Sequence, residues 1–272
     1  MSISKKETKR VTVQTLQAMK AKGEKITMLT AYDYTMAKII DGAGIDIILV
    51  GDSAANVMAG YETTLPITLE AMIYHASAVV RACSRALVVA DLPFGTYQSD
   101  PQRALDSAIR MMKESGAQAV KLEGGREIGE GIRRILEAGI PVIGHLGLTP
   151  QSINKFGGYG LRAKEQSEVQ KLKDDARYLQ ELGCSAIVLE KIPSALAKEV
   201  TQNLSVPTIG IGAGHEVDGQ VLVSQDFFGM FVDYKPKFVR QYLNLHELMT
   251  AAVSQYITDV KAQTFPNESE QY

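Results

Sequence analysis

The strongest constraint on this chain is a rhythm. Short apolar runs, mostly continuous and rich in β-branched residues, recur at 26–32, 45–51, 86–92, 119–123, 141–146, 186–190, 207–211 and 219–223. Continuous runs, unlike alternating ones, mark strands covered on both faces, as in parallel sheets. Helical patterns lie between them. One covers 69–83 behind Thr68, a good N-cap, with Glu70 in its first turn. Another covers 102–115, entered through Asp100-Pro101 and closed by Gly116. Others are expected at 127–138, 164–182 and 193–203. Gly44, Gly116, Gly139 and Gly183 each stand shortly before a strand, where a helix needs a left-handed cap. Strand–helix units of about 30 residues, eight in all, predict an α/β fold closed into a (β/α)8 TIM barrel. A doubly wound open sheet is the alternative. The 272 residues are read as a single domain, 1–272, with the barrel at 25–232. A helix at 11–22 is expected to plug the barrel bottom with Val13, Leu16 and Met19, and helices at 237–243 and 245–261 to follow the last strand.

Composition narrows the function classes. At 45% hydrophobic residues the chain can build a large core, which excludes disorder. Its 29 basic against 31 acidic residues leave a net charge of −2, with none of the basic excess that phosphate neutralisation needs, so no nucleic-acid partner is expected. The first ten residues are charged and precede no apolar core, so no secretory leader is expected. The longest apolar run, around 45–50, is far short of the roughly 18 residues of a membrane span. Cys83 and Cys184, the only cysteines, make neither a disulfide framework nor a metal cluster. Both are expected to be buried, in a reducing, cytoplasmic protein.

Barrel chemistry sits at the C-terminal ends of the strands. Asp52 follows the second strand, Asp91 ends the third, Lys121 and Glu123 end the fourth, His145 the fifth and Glu190 the sixth. A lone acid after a strand is often a helix cap, but four at corresponding positions of separate units are hard to explain by capping. Asp52, Asp91 and Glu123 come from consecutive strands and offer oxygen without thiols, which favours a hard cation such as Mg²⁺ over zinc. Lys121, in phase with Glu123, either pairs with those acids or binds an anionic substrate. Glu190 follows Ile187-Val188-Leu189, where an apolar setting raises a carboxyl pKa and suits a general base. His145, flanked by Gly144 and Gly147, has room to orient a ligand. Gly210-Ile211-Gly212-Ala213-Gly214 lacks dinucleotide-fingerprint spacing. The loop 149–160 reads as a lid or as a plain connection.

These blocks form a recognisable pattern: Val50-Gly51-Asp52-Ser53, Asp91-Leu92-Pro93-Phe94, Val120-Lys121-Leu122-Glu123-Gly124-Gly125, Gly144-His145-Leu146-Gly147-Leu148-Thr149-Pro150-Gln151, Val188-Leu189-Glu190, and Ile209 to Gly214 with Asp218-Gly219-Gln220. Together they closely resemble the ketopantoate (3-methyl-2-oxobutanoate) hydroxymethyltransferase family over nearly the whole chain. The resemblance implies a Mg²⁺-dependent barrel, assembled as a homo-oligomer, typically a homodecamer. The implied reaction passes a one-carbon unit from 5,10-methylenetetrahydrofolate to 3-methyl-2-oxobutanoate, giving 2-dehydropantoate on the route to pantothenate. Carried over by position, Asp52 and Asp91 resemble metal ligands and Glu123 a metal-site acid. Ser53 and Lys121 resemble ketoacid contacts, and Glu190 the base. Such chemistry needs proton loss beside the ketone, with Mg²⁺ stabilising the enolate. Two alternatives remain at this level: a Mg²⁺-dependent 2-oxoacid lyase or mutase on a similar barrel, and a non-catalytic metabolite-binding barrel.

Overall fold

The computed structural model describes residues 9–232 and 235–272. The N-terminal residues 1–8, most of the segment read above as lacking a secretory leader, lie outside the described residues. The chain divides into two compact units, Met1–Val223 and Ser224–Tyr272.

The first unit is the barrel. Its strands are β1 (Ile26–Thr30), β2 (Ile47–Val50), β3 (Leu87–Asp91), β4 (Ala119–Glu123), β5 (Val142–Gly147), β6 (Ala186–Glu190), β7 (Thr208–Ile211) and β8 (Gly219–Leu222). They pair in sequence order, all parallel, and β8 closes onto β1. All eight coincide with the apolar runs. Around them lie α1 (Val13–Lys22), α2 (Tyr34–Gly42), α3 (Ala54–Val57), α4 (Leu69–Ala82), α5 (Pro101–Ser115), α6 (Gly129–Glu137), α7 (Ile153–Phe156), α8 (Gln166–Leu182) and α9 (Ser194–Gln202).

Local chemistry accounts for the helix ends. Thr68 Oγ1 accepts from Ala71 N at 3.1 Å, and Asp100 Oδ1 from Gln102 N and Arg103 N at 2.5 and 3.2 Å, ahead of Pro101. Gly44, Gly116, Gly139 and Gly183 all adopt positive φ, which lets the chain leave a helix and enter a strand without Cβ strain.

The barrel interior is hydrocarbon in its lower layers: Met28, Ile47, Leu87, Ala119, Ile143, Ala186, Ile209 and Val221 form one cluster. Leu16 and Val11 belong to it, with Val13 and Met19 packed against it, so α1 is the expected plug. The hydrogen bond from Val11 N to Arg85 O, just before β3, fixes α1 at the N-terminal end of the strands.

The strand–helix rhythm fails once. Residues 212–218 join β7 to β8 with no helix. Extended chain covers about 3.3–3.6 Å per residue, so this segment can return past the four-residue height of β7 unaided.

In the second unit, α10 (Ser224–Phe227) and α11 (Leu245–Lys261) are helical. The helix expected at 237–243 is absent, and that stretch carries turns. An amide within it is engaged elsewhere: Tyr242 N donates to Phe227 O, and just beyond it Leu245 N donates to Phe228 O, so Tyr242 N is lost to an i to i−4 ladder there. Asn244 then caps α11. Among the described residues no helix is long and apolar enough to cross a membrane.

Candidate active site

Parallel register sets the rim residues side by side. Asp91, ending β3, is level with Lys121 on β4. Glu123, ending β4, is level with His145 on β5, and Gly147, ending β5, with Glu190 on β6. Alternate residues of a strand share a face. The interior series on β3 is therefore Leu87, Val89, Asp91, and on β4 Ala119, Lys121, Glu123. A layer of charge thus rests directly on a hydrocarbon floor.

All the residues expected from sequence meet there. Asp91 is 2% exposed, Asp52 4%, Glu123 7% and Lys121 4%, so three buried carboxylates face one buried ammonium. Lys121 Nζ lies 3.1 Å from Asp91 Oδ1, and Asp52 N donates to Asp91 Oδ2 at 3.0 Å. Burial, then the Glu123 and Asp91 charges, hold the Asp52 carboxyl well above the usual carboxylate range. Burial works against the Lys121 charge, but the three carboxylates outweigh it and keep Lys121 an ammonium. Burial also opposes ionisation of Glu123, yet His145 and Lys121 bring that carboxyl below its ordinary value.

His145 is the centre of the second half. Its Nδ1 lies 3.0 Å from Lys121 Nζ and 3.3 Å from Glu123 Oε1, and its Nε2 lies 3.2 Å from Glu190 Oε2. Burial and Lys121 push its pKa down, but Glu123 and Glu190 more than offset them and hold it at about 9. The contacts of Nδ1 are alternatives: protonated, it can donate to Glu123; unprotonated, it can accept from Lys121. Glu190 is the most open of the rim acids, its side chain 16% exposed. After it, Lys191 takes a left-handed conformation (φ 45°), held by bonds from Lys191 N to Ile211 O and from Arg162 N to Lys191 O.

Ser53 Oγ shares a hydrogen bond of 2.8 Å with the Tyr32 hydroxyl, and the Tyr32 carbonyl is 2.7 Å from His75 Nδ1. Tyr32, Tyr97 and Gln151 are buried neighbours of the acids that sequence reasoning did not single out. Gln151 was legible only as part of a motif, because its partners lie far from it in the chain. The segment 149–160 is not a plain loop: it holds a 3-10 turn, Pro150–Ser152, and then α7. Beside Glu123, Gly147 and Gln151 opens a cavity of about 310 Å³, lined also by Phe94, Phe156 and Arg162. The Arg162 guanidinium stacks 4.0 Å from the Phe156 ring centre.

The rim suits a divalent cation by charge, since +2 balances three carboxylates and one ammonium. Two buried oxygens, Asp91 Oδ1 and Glu123 Oε1, have no partner in hydrogen-bond geometry. Among the described residues no three His, Cys, Asp or Glu side chains form a ready-made ligand set. Mg²⁺ does not need one: it is commonly held by one or two carboxylates, with waters and substrate oxygens completing the shell. Cys83 and Cys184 are free and buried, with burial pushing both thiols up to about 12.

Fold and rim together define a class: a (β/α)8 barrel whose buried acids gather at the C-terminal ends of the strands. Solved structures of that shape include a phosphonopyruvate hydrolase with oxalate and Mg²⁺ (13% identity, TM-score 0.62, covering 96% of this chain and 93% of that one). A 2,3-dimethylmalate lyase of the PEP mutase/isocitrate lyase superfamily is similar too (16% identity, TM-score 0.57, 94% and 88% covered). At these identities the likeness speaks for the fold. The chain belongs to the ketopantoate hydroxymethyltransferase family, a family of transferases, whose pattern matches residues 10–268. It is 66% identical over the full length of both chains to a 3-methyl-2-oxobutanoate hydroxymethyltransferase of Flavobacterium johnsoniae. It is 62% identical, again over both full lengths, to the one of Cytophaga hutchinsonii.

Proposed function

We propose that this enzyme transfers a hydroxymethyl unit from 5,10-methylenetetrahydrofolate to 3-methyl-2-oxobutanoate. The products are 2-dehydropantoate, a pantothenate precursor, and tetrahydrofolate, with water supplying the hydroxyl oxygen. The observation that carries the reading is the division of the rim. Asp52, Asp91 and Glu123 lie around Lys121 on one side, and Glu190 stands with His145 on the other.

Asp52 and Asp91, with Glu123 behind them, are the residues that would hold Mg²⁺. When bound there, the ion supplies Lewis-acid stabilisation of charge developing on the substrate's keto oxygen. Lys121 contributes the rim's buried ammonium for the substrate carboxylate, and Ser53 a hydroxyl. Glu190 takes the proton from the carbon beside the ketone. His145, its Nε2 3.2 Å from Glu190 Oε2, sets a positive charge beside that carboxylate. The resulting enolate attacks the methylene carbon of an iminium form of the donor, and the electron pair of the C=N bond returns to the folate nitrogen; water then forms the C–O bond at that carbon as the C–N bond breaks, and the protonated amine leaves as tetrahydrofolate. The buried floor keeps bulk water from quenching the carbanion. The cavity beside Glu123, with Phe94 and Phe156 in its wall, offers volume and aromatic lining for a pterin.

The reading includes a cytoplasmic location and a homo-oligomer, expected as a decamer. In its support, α11 buries none of its residues and exposes Leu248, Met249, Val253 and Ile257. Solvent deuterium exchange at the substrate's third carbon, followed by NMR without folate, tests the base. Glu190→Gln should bind the ketoacid and stop exchange; undiminished exchange removes Glu190 from the role.

A further inference from the structure

Gln151, 6% exposed, lies in the turn after β5 yet reaches an acid just past β2 and another that ends β4. Its backbone N–H donates to Glu123 Oε2 at 2.9 Å. Its Nε2 donates to Asp52 Oδ2 at 2.8 Å and to Leu92 O at 3.0 Å. Its Oε1 accepts from the Tyr97 hydroxyl at 2.6 Å and from Gln98 Nε2 at 2.9 Å. A carboxylate and a carbonyl only accept, so they fix which end of the amide faces Asp52. Gln98 agrees, because its own Oε1 is occupied by Gly95 N at 2.8 Å. The Tyr97 oxygen, having given its proton to Gln151, accepts Glu123 N at 3.1 Å. The Glu123 carbonyl, 3.3 Å from the Tyr97 hydroxyl, is a second and longer acceptor for the same proton, so the 2.6 Å bond to Gln151 is the better one, and one residue and its tyrosine thus tie Asp52 to Glu123.

The chemistry of the amide matters as much as its place. A buried carboxylate needs a donor, and an ammonium or guanidinium would satisfy Asp52 but also repel a cation. A neutral amide satisfies one oxygen of Asp52 and adds no positive charge beside it. Asp91, by contrast, already has Lys121.

We propose that Gln151, locked by Tyr97, is the positioning residue that presents Asp52 to Mg²⁺. The inference rests on the metal reading given above. The bond to Glu123 comes from the backbone N–H, so Gln151→Met keeps it and removes only the side-chain links. The test is calorimetric titration of Mg²⁺ into the metal-stripped full chain, without substrate. Partners of this kind typically contribute 10–100-fold to metal affinity, so Gln151→Met should bind Mg²⁺ weaker by roughly that factor. In ketoacid deuterium exchange its apparent KM for Mg²⁺ should rise while kcat returns at high Mg²⁺, a split that loss of folded protein does not produce. Tyr97→Phe, which keeps the amide but removes its shortest bond, should weaken Mg²⁺ binding by a smaller factor and serves if Gln151→Met does not fold. Parent-like Mg²⁺ affinity in a folded variant overturns the proposal. A parent that takes up no Mg²⁺ overturns the metal reading itself, so the two failures are distinguishable.

Discussion

Gly147 is the point at which one methyl group should do measurable damage. It ends β5 at φ 94°. A Cβ built there would stand 2.3 Å from the Glu190 carbonyl oxygen and 2.8 Å from Ile192 Cγ2. Left-handed backbone costs a non-glycine residue about 1–2 kcal/mol. The contact must also open by about 1 Å to reach an ordinary separation of roughly 3.5 Å. That carbonyl is held by Leu148 N at 2.8 Å, so moving it loses or weakens a hydrogen bond of about 1 kcal/mol. Gly147→Ala should therefore lose about 3 kcal/mol, and at ~2–4 °C per kcal/mol for a chain this size its Tm should fall by roughly 6–12 °C. The displaced backbone carries Glu190, and a misplacement of about 1 Å can cost ~100-fold in rate. Gly139→Ala is the control: φ is 83° and the new methyl meets nothing within 4 Å. It should pay the backbone term alone and keep full ketoacid exchange. Calorimetry and deuterium exchange on both variants decide the matter. If Gly147→Ala matched Gly139→Ala in both, the steric argument would be wrong.

Lys121→Met strands three buried carboxylates, and breaking a buried pair costs about 3–5 kcal/mol; calorimetry in chelator should show a lower Tm, partly restored by Mg²⁺, and an unchanged Tm would contradict the charge balance. Asp41 accepts from Ser84 N, Ser84 Oγ, Arg85 N and Ala86 N at 2.7–3.2 Å. Burial opposes its ionisation, but these bonds hold its carboxyl below the usual range. The stabilisation is therefore present above the unfolded pKa of about 3.9 and lost as pH falls through the folded value. In urea unfolding Asp41→Asn should be destabilised at neutral pH by about 1–3 kcal/mol, the difference shrinking below about pH 4; a pH-independent difference would refute this. Neither Cys83 nor Cys184 should react with a thiol reagent in the native protein, and both should once it is unfolded.

The closed barrel was written locally. Continuous apolar runs, the caps Thr68 and Asp100-Pro101 and the four turn glycines act within a few residues of themselves, so each unit announces its own ends. The rim acids were legible for a related reason: in a parallel barrel the last residue of a strand faces the same end of the molecule in every unit. The misreadings fell where local pattern yields to distant partners. Residues 237–243 look helical, but the Phe227 and Phe228 carbonyls take the amides of Tyr242 and Leu245.

By itself, then, the sequence determined the barrel and the identity and end of its acids, because both follow from short-range periodicity. Only the tertiary structure decided which of them pair. Register set Lys121 beside Asp91 and His145 between Glu123 and Glu190. The turn after β5 brought Gln151 across 99 positions to Asp52. Whether a buried charge is compensated depends on donors within a few ångströms in space, and no spacing along the chain records that.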